Sequence, residues 1–102
     1  MIRIECDAYL TVRDTEGRTA SLSEVAPLLE LVAETGSIAQ AAQAKGLSYR
    51  HAWGMLRALE ACVGGQLIET ARGKGSTLSE LGQAIVDAQR LARSRLDGNL
   101  RA

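Results

Sequence analysis

The chain has 102 residues, which is enough for one domain with an apolar core and too few for two. Hydrophobic residues make up 46% of it, and its formal net charge of zero argues against a uniformly basic nucleic-acid binder. No apolar run is long enough to cross a membrane. The N-terminal residues lack the basic and then apolar pattern of a signal peptide, so a cytoplasmic location is expected.

Residue types that support metal or catalytic chemistry are sparse. Cys6 and Cys62 are the only cysteines, and His51 is the only histidine. Because a structural zinc site usually needs four ligands, we expect two reduced cysteines and no metal. Glu60 and Glu69 accompany no nucleophile motif. The sequence therefore predicts no catalytic residue and no cofactor, and it does not indicate an enzyme.

Charge is distributed unevenly along the chain. Residues 1–36 carry three arginines against seven carboxylates, a net charge of −4. Residues 37–75 carry five lysines and arginines against two glutamates, a net charge of +3. A polyanion is therefore expected to bind the middle third of the chain.

The N-terminal β segment, residues 1–22, is expected to contain strands. Residues 2–13 alternate apolar and polar side chains with a period of two, which is typical of a strand. Residues 14–17 have turn chemistry, and residues 19–22 are interpreted as a short second strand.

A first helix is predicted over residues 23–35. Its N-cap is either Ser23 or Ser21, the latter with Glu24 completing a capping box. Pro27 then lies near the first turn, where its missing N–H costs little. The expected buried stripe consists of Val25, Leu28, Leu29 and Val32.

Two further helices are predicted in the middle third. Ser37 is expected to cap a short second helix, 37–44, and Ser48 to cap a third, 48–63. Between them Gly46 can adopt the positive φ of a tight turn. The expected inner faces are Ile38, Ala41 and Ala42 on the second helix and Ala52, Leu56, Leu59 and Val63 on the third. The pattern indicates a helix-turn-helix within residues 23–78, although an ordinary helical hairpin shares it.

Residues 66–78 favour the helix-turn-helix over an ordinary helical hairpin. Two short strands enclose a basic, glycine-rich turn at residues 71–75, and a hairpin directly after the third helix is typical of a wing. Arg72 and Lys74 lie at its tip, where they can reach phosphates or a minor groove.

A last helix is predicted over residues 79–97, capped by Ser79. It is longer than a small core requires, so its surplus apolar surface is a candidate dimer contact. The alternative is that it packs only on its own wing. The predicted dimerisation residues are Leu81, Ile85, Ala88, Leu91, Ala92 and Leu96.

The run from Thr35 to Glu60, TGSIAQAAQAKGLSYRHAWGMLRALE, resembles the molybdate-responsive ModE repressors. The run from Leu59 to Val86 is similar to the LysR-type regulators, with a Gly, a short strand, a basic wing and a helix start in the same order. The resemblance implies a mainly α fold with a small β component: a winged helix-turn-helix with N-terminal strands, a two-stranded wing and a long C-terminal dimerisation helix. It also implies a homodimer on a palindromic operator of double-stranded DNA, with the third helix in the major groove.

The resemblance further implies that the start of the third helix faces DNA. Arg50 is suited to a bidentate contact with guanine, and Ser48 both caps the helix and can meet a phosphate near its positive end. The Tyr49 hydroxyl can reach phosphate. The predicted DNA-binding residues are Ser37, Ser48, Tyr49, Arg50, His51, Arg57, Arg72 and Lys74.

Several alternatives stay open at this point. Trp53 is expected to pack in the core rather than to stack on a ligand. Gly54 costs about 1 kcal/mol inside a helix, and close approach of either another backbone or DNA would explain it. The rival function is a winged-helix protein interaction module that does not bind DNA. The sensor domains of both families are not recognised before the sequence ends at Ala102, so no effector ligand is expected to bind this chain. We expect either a short regulator or a piece ending after the dimerisation helix.

Overall fold

The structure is a computed structural model that describes the backbone of residues 9–101 and the side chains of residues 9–95. Four helices and two antiparallel strand pairs confirm the mainly α winged helix-turn-helix fold. The strands are β1 (Thr11–Arg13), β2 (Thr19–Ser21), β3 (Ile68–Ala71) and β4 (Gly75–Leu78). The helices are α1 (Leu22–Thr35), α2 (Ile38–Ala44), α3 (Tyr49–Val63) and α4 (Glu80–Arg101).

The N-terminal hairpin pairs β1 with β2. Its turn is organised by the Asp14 carboxylate, which accepts hydrogen bonds from the N–H groups of Glu16 and Arg18, both at 2.9 Å, and from the Arg18 side chain at 2.6 Å. The Arg18 side chain holds the pKa of the Asp14 carboxyl below its usual value. In the described part of the predicted strand over residues 2–13, Thr11–Arg13 forms a strand; residues 1–8 lie outside the described residues.

Helix α1 begins one residue earlier than predicted because Ser21, not Ser23, is its N-cap. The Ser21 hydroxyl accepts a hydrogen bond from the Glu24 N–H at 3.1 Å. Ser23 lies in the first turn instead, where its hydroxyl accepts from the Leu10 N–H at 2.7 Å. Pro27 therefore lies in the second turn, where a backbone N–H would have donated to the Ser23 carbonyl.

The turn between α2 and α3 has the expected geometry. Ser37 and Ser48 cap the two helices through their hydroxyl oxygens, and Gly46 has a φ of 71°. The Leu47 N–H donates to the Ala42 carbonyl at 2.9 Å, and the Leu47 side chain packs against the core. These contacts hold α2 and α3 at the angle of a helix-turn-helix.

The wing is docked on the loop between α1 and α2. The Ser76 N–H donates to the Gly36 carbonyl at 2.9 Å, which holds β4 against this loop. A side chain at Gly75 would put its β-carbon 2.6 Å from that same oxygen. The strands of the wing are longer at the tip than predicted. Ala71 and Gly75, expected in the turn, pair with each other as the last residue of β3 and the first of β4.

Helix α4 is anchored to the start of the wing. Ser79 caps it, accepting from the Gly82 N–H at 3.0 Å and donating its hydroxyl to the Gln66 carbonyl at 2.6 Å. A β-carbon at Gly82 would collide with the Leu67 carbonyl oxygen, so glycine permits this close packing. The helix runs to Arg101, beyond the predicted end at residue 97.

The core joins all four helices and the wing. The predicted inner faces of α1 and α2 are buried as expected, and so are Ala52, Leu56 and Leu59 of α3. Val63 is only half-buried because α3 ends there at Gly64, which has a φ of 75°. The other main contributors to the core are Ala20, Leu67, Ile68, Ile85 and Val86.

Gln89 of α4 is an imperfection in this core. It is 5% exposed, and neither polar atom of its side chain has a hydrogen-bond partner among the described residues. A buried amide without a partner costs about 1–3 kcal/mol.

Gln89→Met removes this unpaired amide and keeps a similar volume, so it should raise the Tm by several degrees in thermal unfolding. Gln83→Met, exposed on the same helix, should leave the Tm nearly unchanged. A lower Tm for Gln89→Met would contradict this account.

Gly82→Ala tests the packing of α4 on the wing. The new methyl group would meet backbone that cannot rotate away, so the free energy of unfolding should fall by about 1–3 kcal/mol in urea denaturation. Gly54→Ala is the matched control, because no described atom outside the adjoining helical backbone lies within 4 Å of a β-carbon there. It should raise the stability by up to about 1 kcal/mol. Equal stability of the two variants would refute the clash.

Candidate nucleic-acid interface

The first turn of α3 projects from the core into solvent. Leu56 and its buried neighbours occupy the inner face of the helix. Arg50 and His51 are exposed, and the Tyr49 side chain is 55% exposed. The Ser48 hydroxyl accepts the His51 N–H at 3.0 Å and so fixes the start of the helix. The structure thus presents these four predicted residues together on one accessible surface.

Three side chains at intervals of four residues form a row along α3, the Tyr49–Trp53–Arg57 row. The rings of Tyr49 and Trp53 meet edge to face, with centroids 6.3 Å apart and planes at 83°. The guanidinium carbon of Arg57 lies 5.2 Å from the centroid of the Trp53 ring, which is within cation–π range. Trp53 packs against the core but is only half-buried, so the expected core role describes part of its surface.

A groove of about 390 Å³ lies between the start of α2, the start of α3 and the wing. It brings Ser37 and Tyr49 together with Thr70 and Ser76 of the wing. The Ser37 hydroxyl oxygen already accepts the Gln40 N–H at 3.2 Å, which leaves its proton free to donate outward. Polar groups from three elements therefore converge beside the exposed face of α3.

A second groove, of about 420 Å³, follows α3 towards its C-terminal end. Trp53 and Arg57 line it together with two carboxylates, Glu60 and Glu69. Glu60 accepts the Leu67 N–H at 3.0 Å, which ties α3 to the beginning of the wing. Since carboxylates repel phosphate, Glu60 and Glu69 weaken the attraction of this groove for an anion.

His51 lies on the opposite flank of α3. It lines a depression of about 310 Å³ with Lys45 and Leu47. Tyr49 faces the wing, so Arg50 lies between the two flanks at the crest of the helix. Lys45 is an exposed cation that the sequence analysis left out of the candidate site. Its position in the turn between α2 and α3, next to the predicted DNA-facing helix, could have identified it.

The tip of the wing carries the predicted cations. Arg72 and Lys74 are both exposed. The Lys74 N–H donates to the Ala71 carbonyl at 3.0 Å, and Gly73 has a φ of 80°, so the tip is a tight turn. Because the turn is short, both side chains extend from a defined backbone rather than from a long loop.

Gly54 lies on the exposed face of α3, between Arg50 and Arg57 at spacings of four and three. It is solvent-exposed, and the described chain places no neighbour within 4 Å of a β-carbon there. Among the described residues, therefore, no other backbone approaches closely enough to explain this glycine.

The predicted dimerisation residues divide between the core and the surface. Ile85 is buried in the core of its own chain, and Leu81 packs against that core, so neither offers a free contact surface. Ala88 and Leu91 are exposed, Leu91 by 53%, and Ala92 is half-buried. The Leu96 side chain lies outside the described residues.

The remaining sequence predictions concern metals and membranes. Within residues 9–95, no three His, Cys, Asp or Glu side chains cluster in a way that would hold a metal ion. None of the helices in the described part of the chain has the length and apolarity of a bilayer span.

Helix, tight turn, exposed helix and a docked two-stranded wing together define a winged helix-turn-helix domain. A family model described as "Bacterial regulatory helix-turn-helix protein, lysR family" matches residues 25–83, more than half of the chain. The chain therefore belongs to this family of bacterial regulators.

A curated relative confirms the ModE resemblance. The chain is 44% identical over 61 residues to the Molybdenum transport protein ModE of Herbaspirillum seropedicae. The match covers 59% of this chain but only 23% of that protein. The chain thus spans about a quarter of the relative's length.

Solved structures confirm the LysR-type resemblance. The CbnR DNA-binding domain in complex with DNA has a TM-score of 0.60 and 28% identity, covering 76% of this chain and 91% of that chain. Full-length CbnR with its target DNA has a TM-score of 0.61 and 28% identity, covering 78% and 28%. VV2_1132, a LysR family transcriptional regulator, has a TM-score of 0.61 at 22% identity over 72% and 25%, and supports the fold alone.

Proposed function

We propose that this chain is the DNA-binding domain of a bacterial transcription regulator and binds double-stranded DNA sequence-specifically. The observation that carries the proposal is the exposure of Arg50 and His51 at the capped start of α3, beside a wing tip that bears Arg72 and Lys74. The family match and the likeness to CbnR, whose domain is described in complex with DNA, support it.

The proposed contacts divide into reading and positioning. Arg50, at the crest of α3, contacts a base edge in the major groove, where a bidentate pair with guanine is the most common specific contact. Ser37, Ser48, Tyr49 and Arg57 donate to phosphates from either side of it, and His51 extends the contact on the opposite flank. Arg72 and Lys74 bind the backbone or the adjacent minor groove, which adds affinity without sequence information.

Gly54 fits this arrangement as the point at which the backbone of α3 comes closest to DNA. Its cost of about 1 kcal/mol to the helix is not offset by packing within the described chain. A missing side chain between Arg50 and Arg57 lets the helix axis approach the floor of the groove more closely.

We also propose that the domain works as a homodimer through α4. The helix has 22 residues and extends past Gln89, the last buried residue among its described side chains. Ala88 and Leu91, on either side of Gln89 in the sequence, provide exposed apolar surface on α4. A two-fold dimer would bind a palindromic operator with half-sites about one helical turn, roughly 34 Å, or a multiple of it apart.

One set of observations favours a second candidate, a protein interaction module that does not bind DNA. The net charge is zero, and Glu60 and Glu69 line the groove beside Arg57. A titration with random-sequence duplex DNA at low salt separates the two functions. A pure interaction module shows no salt-dependent binding.

Arg50→Ala and Lys74→Ala should weaken DNA binding in different ways. With duplexes selected from a random pool, Arg50→Ala should cost about 1–3 kcal/mol and relax the preference at one base position. Lys74→Ala should weaken binding to all sequences and reduce the slope of log K against log salt by about one. Fluorescence anisotropy over a salt series measures both effects.

Arg93→Ala, which removes an exposed charge from α4, is the matched control and should change neither the preference nor the slope by a comparable amount. An unchanged base preference for Arg50→Ala would exclude α3 as the helix that reads the sequence.

Leu91→Asp should convert the dimer to a monomer, because it places a carboxylate in the proposed apolar contact. Sedimentation velocity at micromolar concentration measures the change. Gln83→Asp, also exposed on α4, should leave the dimer intact. A wild-type monomer that Leu91→Asp does not affect would remove the dimer proposal.

A further inference from the structure

We propose that Trp53 is a positioning residue for DNA binding: its indole holds Arg57 and Tyr49 in place along the wing-facing side of α3. The inference rests on the proposed function and adds a residue that the predicted interface left out. The sequence alone predicted only a packing role for Trp53. The spacing of four residues between Tyr49, Trp53 and Arg57 is nevertheless visible in it.

The indole is a fixed platform. It packs against the core on one side and lines both grooves that flank the wing. Thr70 of β3 lines both grooves as well, so the ring lies where α3 and the wing meet. A half-buried ring held between two elements loses rotamer freedom on folding rather than on DNA binding.

The contact with Arg57 keeps that side chain available to an anion. Among the described residues Arg57 forms no ion pair, although Glu60 and Glu69 line the same groove. A carboxylate partner would occupy the guanidinium N–H groups, whereas the face of an indole attracts the cation and leaves those donors free. Arg57 is thus held in place without losing its capacity to bind phosphate.

Tyr49 is held in a comparable way. Its ring makes an edge contact with Trp53, which orients the ring without using the hydroxyl group. The side chain is 55% exposed, and no described hydrogen bond engages its hydroxyl. Trp53 therefore orders two separate phosphate donors before DNA arrives.

The first test uses the free protein. Trp53 is the only tryptophan in the chain, so tryptophan emission reports on the surroundings of this one indole. Arg57→Ala should shift the emission of the free protein, and Lys74→Ala, at the tip of the wing, should not. An emission spectrum that Arg57→Ala leaves unchanged would overturn the proposed contact, whatever the protein does with DNA.

The second test is a double-mutant cycle with a random-sequence duplex at low salt. Trp53→Leu should lower the affinity roughly two- to fivefold, the range expected for an exposed cation–π contact. In the Arg57→Ala background the same substitution should cost less, because one of the two groups that it positions is gone. In the Lys74→Ala background it should cost as much as in the wild type.

Trp53→Phe should restore most of the affinity, since it keeps an aromatic face, and circular dichroism checks that each variant is folded. Equal losses from Trp53→Leu in the two backgrounds would show that the indole acts through the fold, and would overturn the inference. Absence of salt-dependent binding by the wild type would refute the proposed function instead, while the emission test still decides whether the Trp53–Arg57 contact exists.

Discussion

A backbone hydrogen bond from the Ser76 N–H to the Gly36 carbonyl holds the wing against the loop between α1 and α2, and the Glu60 carboxylate, which accepts the Leu67 N–H, ties the wing to α3. Gly36 is also the C-cap of α1, with a φ of 71°, so the same residue ends the first helix and receives the wing. Gly75 completes the arrangement, because any side chain there would approach the shared carbonyl too closely. Gly36, Gly75 and Ser76 line the groove between α2, α3 and the wing, so this junction forms one of its walls.

Helix α3 packs against the core, the wing and the N-terminal hairpin, and these contacts limit which of its faces can bind a partner. Leu56 and Leu59 face the core, while Trp53 and Glu60 face the wing. The N-terminal hairpin also contacts this helix, so its flanks are covered over much of their length. Only the crest that carries Arg50 and the first turn stays open. The exposed residues follow this crest from the first turn to Gly54 and Arg57, so a large partner can approach α3 along it.

Sequence reasoning located the elements well because their signals are local. Caps such as Ser37 and Ser48, and the positive-φ turn at Gly46, depend on residues within a few positions of each other. The start of α1 was misplaced because Ser21 and Ser23 both satisfy local rules, and a long-range contact with Leu10 decides between them.

The candidate site was predictable to a similar degree and for the same reason. Exposure of Arg50 and of the wing tip follows from helical periodicity and turn chemistry. The docking of the wing on Gly36 and the burial of Ile85 depend on pairs that are distant along the chain, for which one sequence carries no signal. A stripe of apolar residues on α4 shows that one face is buried, but not whether the chain itself or a second copy covers it.

The zero net charge is compatible with DNA binding because the described ion pairs neutralise arginines away from α3 and the wing tip. Among the described residues the ion pairs involve Arg18, held by Asp14 and Glu16, and Arg90, whose Nε lies 2.8 Å from a carboxylate oxygen of Glu30 on α1. The cations of α3 and of the wing tip take no part in them. At physiological salt, charges are screened over about 8–10 Å. A phosphate near α3 therefore responds mainly to the charges within that distance, so the net charge summed over the whole chain is a poor guide to this surface.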